Sequence, residues 1–194
     1  MKLLEVFKSQ DKIQLDKKTL VILRWIALIG QFVTIYFVFF ILKYDFPFFY
    51  CCLIISIGVL SNIFLQFKTK NNLLNNFSST IYLMYDLIQL TALIFLTGGI
   101  TNPFVILLII PSIVSSTFLS LRSTINLSFM TAIFLVVLTF YHFPFPHNDN
   151  LHFHVPQYYL YGIPTSVFIG LIFLTYFGAR FGLESKKRTE ALNK

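Results

Sequence analysis

Apolar residues fall along this chain in six long blocks, and most polar residues lie in the gaps between them. Blocks of about 17 to 25 apolar residues, the length a hydrocarbon core requires, occur at about 19–42, 47–67, 79–97, 103–121, 124–141 and 158–178. An even number of crossings returns both ends to the same side. The pattern therefore predicts an all-α polytopic membrane protein, a bundle of six transmembrane helices. Residues 1–18 form a polar N-terminal segment, 19–178 the membrane domain, and 179–194 a charge-rich segment that reads as the start of a helix leaving the membrane. The first block is not read as a cleaved signal: it follows a polar stretch, exceeds an apolar signal core in length and lacks a small-residue cleavage pattern.

Composition supports this class and adds an orientation. With 56% hydrophobic and 12% charged residues, the chain has too few charges to coat a soluble globule. Of its fifteen Lys and Arg residues, thirteen fall in the gaps that share a side with the termini, Arg24 lies near that side within the first block, and only Lys43 lies opposite. By the positive-inside rule both termini are expected in the cytoplasm, with the turn between the third and fourth spans on the outer side. The net charge of +7 then reports topology and attraction to anionic lipid headgroups, not nucleic-acid binding.

Inside the spans, charge is rare and so informative. Asp86 sits within the third block, where a carboxylate must be paired, protonated or hydrated. Gln89, Leu93 and Thr97 follow it at offsets of three, seven and eleven and share its helix face. Arg24 and Gln31, seven apart in the first block, share another face. Two arrangements are open: an Arg24–Asp86 ion pair, or an Arg24 that snorkels to the inner headgroups beside a protonated Asp86. Arg24, Gln31, Asp86 and Gln89 are thus candidates for coupling within the membrane. The same residues admit an alternative function, a small transporter or channel with a polar path along Asp86, Gln89 and Arg24. Against it, the chain shows no internal repeat and no second helix break matching the first.

Other chemistry is thinner. His142, His147, His152 and His154 all fall in the longest gap; His147, His152 and His154, with Asp149, are weak candidates for zinc or copper ligands, without the spacing of a recognised site. The loop is otherwise read as an interfacial connection shaped by Pro144, Pro146 and Pro156. Adjacent Cys51 and Cys52 are read as small apolar packing residues, with no other cysteine to pair with. No catalytic constellation is present.

The most informative segment is the turn Gly98-Gly99-Ile100-Thr101-Asn102-Pro103-Phe104. Glycine permits the left-handed backbone that ends one helix, Asn102 can cap the next, and proline suits its first turn. A plain hairpin needs no more. Phe104 beside two positions without side chains, near the positive end of the fourth helix, also suits a flat, lipid-soluble ring bearing carbonyl oxygens.

The segment from Tyr85-Asp86 through Gly98-Gly99-Ile100-Thr101-Asn102-Pro103-Phe104 resembles the membrane sensor domain of the RegB/PrrB/ActS family of redox-responsive bacterial sensor histidine kinases, whose hallmark is GGxxNPF. The likeness extends to Leu23-Arg24-Trp25 through Gln31, to Pro111 and to the proline-rich connection before the sixth span. It implies a redox-sensing input domain in a bacterial inner membrane, with ubiquinone as the sensed ligand at Gly98, Gly99, Asn102, Pro103 and Phe104. It also implies a homodimer and a cytoplasmic response regulator, engaged through phosphoacceptor and ATP-binding domains that are not among these 194 residues. Backbone donors in the turn are expected to favour the oxidised ring.

Overall fold

A computed structural model describes residues 15–68, 73–144 and 156–192. The first membrane helix, α1 (Lys17–Tyr36), starts where Asp16 accepts a hydrogen bond from the Thr19 amide at 3.2 Å, and its end loosens into one π-helical turn, Phe37–Ile41. Next come α2 (Phe48–Lys68) and α3 (Asn76–Leu96), the latter capped by Asn75, which accepts from the Ser78 amide at 2.8 Å. Residues Gly99–Thr101 make a short 3-10 turn. The fourth span runs as a 3-10 helix, Pro103–Ile109, into α4 (Ile110–Phe118). Ser120 caps α5 (Leu121–Phe140), and α6 (Gln157–Leu192) completes the order.

Two short strands, β1 (Leu15–Asp16) and β2 (Leu73–Leu74), pair antiparallel with Leu15 opposite Leu74. They pin the starts of α1 and α3 at one end of the bundle. Lys17 reaches the Gln66 carbonyl at the end of α2 from the same level.

Helices α3, α4, α5 and α6 pack on one another, whereas α1 packs on α2 and joins the rest mainly through it. Leu87, Ile94, Leu108, Leu127, Leu138 and Leu171 fill the four-helix core. A smaller cluster, including Leu28, Ile35, Cys51, Ile55 and Leu93, joins α1 and α2 to α3. Cys51 is buried in it as a free thiol, as its reading as a packing residue expects. Many Phe, Ile and Leu side chains face outward, as lipid contact requires. Since lipid tails are as apolar as leucine, specificity between helices comes from close backbone approach and hydroxyl pairs. Thr80–Ser123 at 2.8 Å, Ser115–Thr124 at 3.1 Å and Ser112–Thr131 at 3.4 Å supply such pairs.

Among the described residues five helices are long and apolar enough to cross a membrane, and the fourth span, Pro103–Phe118, is shorter. Proline explains the difference from the block expected at 103–121. Pro111 has no amide hydrogen and its ring excludes an α-helical carbonyl four residues earlier, so α geometry starts only at Ile110, with Pro111 in its first turn. Seven residues at about 2.0 Å and nine at about 1.5 Å still span roughly 27 Å, close to the hydrocarbon thickness.

At the other extreme, α6 continues unbroken through the charged residues after Gly182 to Leu192, although Pro164 lies within it. Its 36 residues make a rod of roughly 54 Å, well beyond what a bilayer core needs. Gly178 and Gly182, one helical turn apart, let it close on α4: a Cβ at Gly178 would meet Ser116 Oγ, and one at Gly182 would lie 2.7 Å from the Thr117 carbonyl oxygen. Because that carbonyl belongs to backbone, Gly182→Leu is expected to push α6 off α4 and lower stability by about 1–3 kcal/mol. Reversible unfolding in mixed detergent micelles measures this, with Ala179→Leu as the control on the same helix.

Candidate functional site

The break between α3 and α4 builds one end of the site. Gly98 and Gly99 both take positive φ, 108° and 55°, which L side chains adopt at a cost. The amides of Thr101 and Asn102 donate to the carbonyls of Gly98 and Gly99, each at 3.1 Å. Asn102 is buried and holds both sides of the break: its Oδ1 accepts from the Phe104 amide at 2.9 Å, while Nδ2 donates to the Thr97 hydroxyl at 2.7 Å and to the Thr97 carbonyl at 3.1 Å. Pro103 and Phe104 are exposed on the outer surface of the turn.

The glycine pair faces elsewhere. The His142 ring lies against Gly99, so closely that any Cβ there would overlap it. His142 is held by its neighbour, whose amide donates to the Phe95 carbonyl at 2.9 Å. The chain after α5 thus folds back as a cover on the turn. His142 as a packing partner of Gly99 carries no signature in sequence spacing. His147, His152 and His154, with Asp149, lie outside the described residues, and among the described residues no group of three or more His, Cys, Asp or Glu side chains is placed to hold a metal.

Midway along α3, long side chains join it to α1. Of the two arrangements open to Arg24 and Asp86, the ion pair is the one found: Arg24 Nε lies 2.8 Å from Asp86 Oδ1. Arg24 Nη2 donates to the Ser61 hydroxyl at 3.1 Å, and the guanidinium carbon stands 5.4 Å from the ring centres of both Tyr82 and Tyr85. Arg24 is 3% exposed and Asp86 26%, so the cation is sealed and the carboxylate is partly open. One turn further out, Gln89 Nε2 donates to Gln31 Oε1 at 3.2 Å, and the Gln89 amide packs against Gly58 of α2, where a Cβ would not fit. Tyr82, Tyr85, Asp86 and Gln89 follow i, i+3, i+4, i+7 spacing, so the two tyrosines were within reach of helical-face arithmetic. Ser61 and Gly58, on a different helix, were not.

A groove of about 910 Å³ runs between α1, α3 and the fourth span and joins these two sets. Arg24, Asp86, Gln31 and Gln89 line the half nearer the two short strands; Thr97, Asn102, Pro103 and Phe104 line the end at the turn, and Gly98 and Gly99 do not line it. Its rim residues, among them Ile26, Val33, Phe37 and Ile110, are exposed on the apolar surface, so the groove opens toward the lipid. Its size and its mainly apolar wall with few polar groups are those of a small-molecule site.

Residues 19–189 match the model of the PilS-like transmembrane domain, a six-helix membrane family. The chain belongs to that family. Over 176 residues, 90% of this chain, it is 31% identical to the sensor histidine kinase RegB of Cereibacter sphaeroides. The chain spans 38% of that relative's length. No solved structure matches the chain significantly. This PilS-like chain is therefore a RegB-like membrane sensor domain, a multi-pass protein of the bacterial inner membrane.

Two stability tests follow from the geometry. Gly99→Ala is expected to destabilise the domain through both its φ and the His142 ring, and Gly99→Ala with His142→Ala to recover part of the loss, leaving about 1–2 kcal/mol of backbone strain. Asp86→Leu strands a sealed cation and is expected to cost about 3 kcal/mol or more; Arg24→Met, which leaves the partly exposed carboxylate, costs less, and the double replacement lies nearer the parent than Asp86→Leu does. Unfolding in mixed micelles orders all of these variants.

Proposed function

We propose that this domain is the input module of a sensor histidine kinase, with a ubiquinone-type quinone as its sensed ligand and the groove beside the GGITNPF turn as its binding site. The observation that carries the reading is the groove: it is open to lipid, where a quinone resides, and its outer end is built from Asn102, Pro103 and Phe104 of the motif. Phe104, 42% exposed and lining the groove, supplies an aromatic face for the ring. Asn102 acts by fixing the turn, since its amide hydrogens are already engaged by Thr97.

Both termini lie in the cytoplasm in this reading, supported by the thirteen basic residues in the gaps on that side. The output is then α6, which runs without interruption from the bundle to Leu192. Kinase domains beyond it would work as a homodimer and pass phosphate to a response regulator. Ligand binding regulates such a kinase only if two arrangements of the bundle bind it with different affinity. Arg24, Asp86, Gln31 and Gln89 cross from α1 to α3, so a ligand in the groove can bias how those helices sit.

Binding of a short-chain ubiquinone analogue to the nanodisc-reconstituted domain tests the site. Phe104→Ala is expected to weaken binding about tenfold through lost ring contact, and Asn102→Ala to weaken it through a loosened turn together with a lower melting temperature. Unchanged affinity in both variants, with the fold intact, would leave the turn as architecture alone.

A further inference from the structure

Polar capacity is unevenly distributed along the groove. At its outer end it is used up, since both Asn102 amide hydrogens go to Thr97, its Oδ1 caps Phe104, and the Thr97 hydroxyl donates to the Leu93 carbonyl. At mid-depth there is a surplus. Asp86 accepts from Arg24 at Oδ1 and has no partner for Oδ2 among the described residues, and the Gln31–Gln89 bond leaves the Gln31 amide hydrogens and Gln89 Oε1 without a hydrogen-bond partner among them. All three residues line the groove.

We infer that Asp86 Oδ2 and the Gln31–Gln89 pair form a second headgroup subsite at mid-membrane, taking a neutral ring with oxygen substituents, and that Asp86 favours the hydroxyl form of that ring. The inference rests on the quinone reading and adds a position and a preference to it. Asp86 precedes Thr97 by eleven residues, about 16 Å along α3, so one ring cannot occupy the turn and this subsite together. Leu90 and Leu93 of α3 line the passage between them.

Chemistry selects the occupant. The Arg24–Asp86 pair carries no net charge, and Arg24 is buried between two tyrosine faces together with its one unpartnered nitrogen, Nη1, so an anionic lipid phosphate or fatty-acid carboxylate finds no exposed cation. A carboxylate oxygen only accepts hydrogen bonds. A quinol hydroxyl donates to it, whereas a quinone carbonyl would oppose lone pair to lone pair. Carboxamides present both a donor and an acceptor, so the Gln31–Gln89 pair serves either form. The turn was expected to favour the oxidised ring through backbone donors, but the Thr101, Asn102 and Phe104 amides are engaged within it. Asp86 thus becomes the discriminating group. No bond is made or broken: the subsite distinguishes the two forms by hydrogen bonding alone.

The test titrates the oxidised and reduced forms of a short-chain ubiquinone analogue into the nanodisc-reconstituted domain. Asp86→Asn keeps an oxygen for Arg24 Nε and turns an amide donor toward the groove. It is expected to weaken binding of the reduced form about tenfold and to leave the oxidised form as tightly bound as before or more tightly. Equal effects on both forms, or none, overturn the inference. Gln31→Leu, outside the ion pair, serves if Asp86→Asn does not fold; it is expected to weaken both forms about fivefold or more, and an unchanged affinity likewise overturns the inference. Should Phe104→Ala abolish binding while Asp86→Asn and Gln31→Leu leave both forms untouched, the turn alone is the site and the quinone reading survives without this subsite. If the parent binds neither form, both fall. Cross-linking between copies through Ile26→Cys, with loss of analogue binding on dimerisation, would make a second copy the occupant and overturn the subsite.

Discussion

A guanidinium in hydrocarbon must find a carboxylate, and in this protein that requirement sets the distance between α1 and α3. Arg24 and Gln31 reach across from one helix, Asp86 and Gln89 from the other, and each pair meets at the ends of long side chains. Helices joined this way cannot approach as closely as α4 and α6, whose contact is made at glycine. The space left over is the groove. Removing the polar pairs would take away both the polar attachment of α1 to α3 and the reason for the gap between them. Ser61 of α2 binds the same guanidinium, so three helices converge on one side chain.

Attachment through side chains also divides the bundle. Helices α3 to α6 share the larger apolar core, to which α1 and α2 add Leu20, Val21 and Leu65 near the strand end; the rest of that hairpin is held by the smaller cluster, the polar pairs and the two-residue strands. A ligand in the groove touches the seam between these parts. It can act on their relative placement without disturbing either core.

Much of this was legible in the sequence, for identifiable reasons. Apolar runs located the helices within a few residues, because a hydrocarbon core tolerates little else. Asp86 announced a buried partner by its cost alone, and the spacing of Gln89 and Thr97 gave the face on which it would be found. Left-handed backbone at Gly98 and Gly99 and the cap at Asn102 followed from residue type. What stayed hidden depends on contacts distant in sequence: Ser61 on Arg24, Gly58 under Gln89, His142 over Gly99. The fourth span shows a different limit. Its apolar length suggested an ordinary α-helix to 121, but Pro111 acts on the residues before it, so the geometry of Pro103–Ile109 is set from downstream.

That 3-10 stretch has a mechanical meaning. Seven residues wound three to the turn are about 3.5 Å longer than the same seven in α form. One end of this extended spring is fixed at Asn102, and the other continues into the helix whose Ser116 and Thr117 lie against Gly178 and Gly182. Phe104, Leu107 and Ile110 on its flank form part of the groove wall. The fourth span therefore ties the glycine turn to the long rod of α6, and any rewinding of it would be a movement at the glycines on which that rod rests.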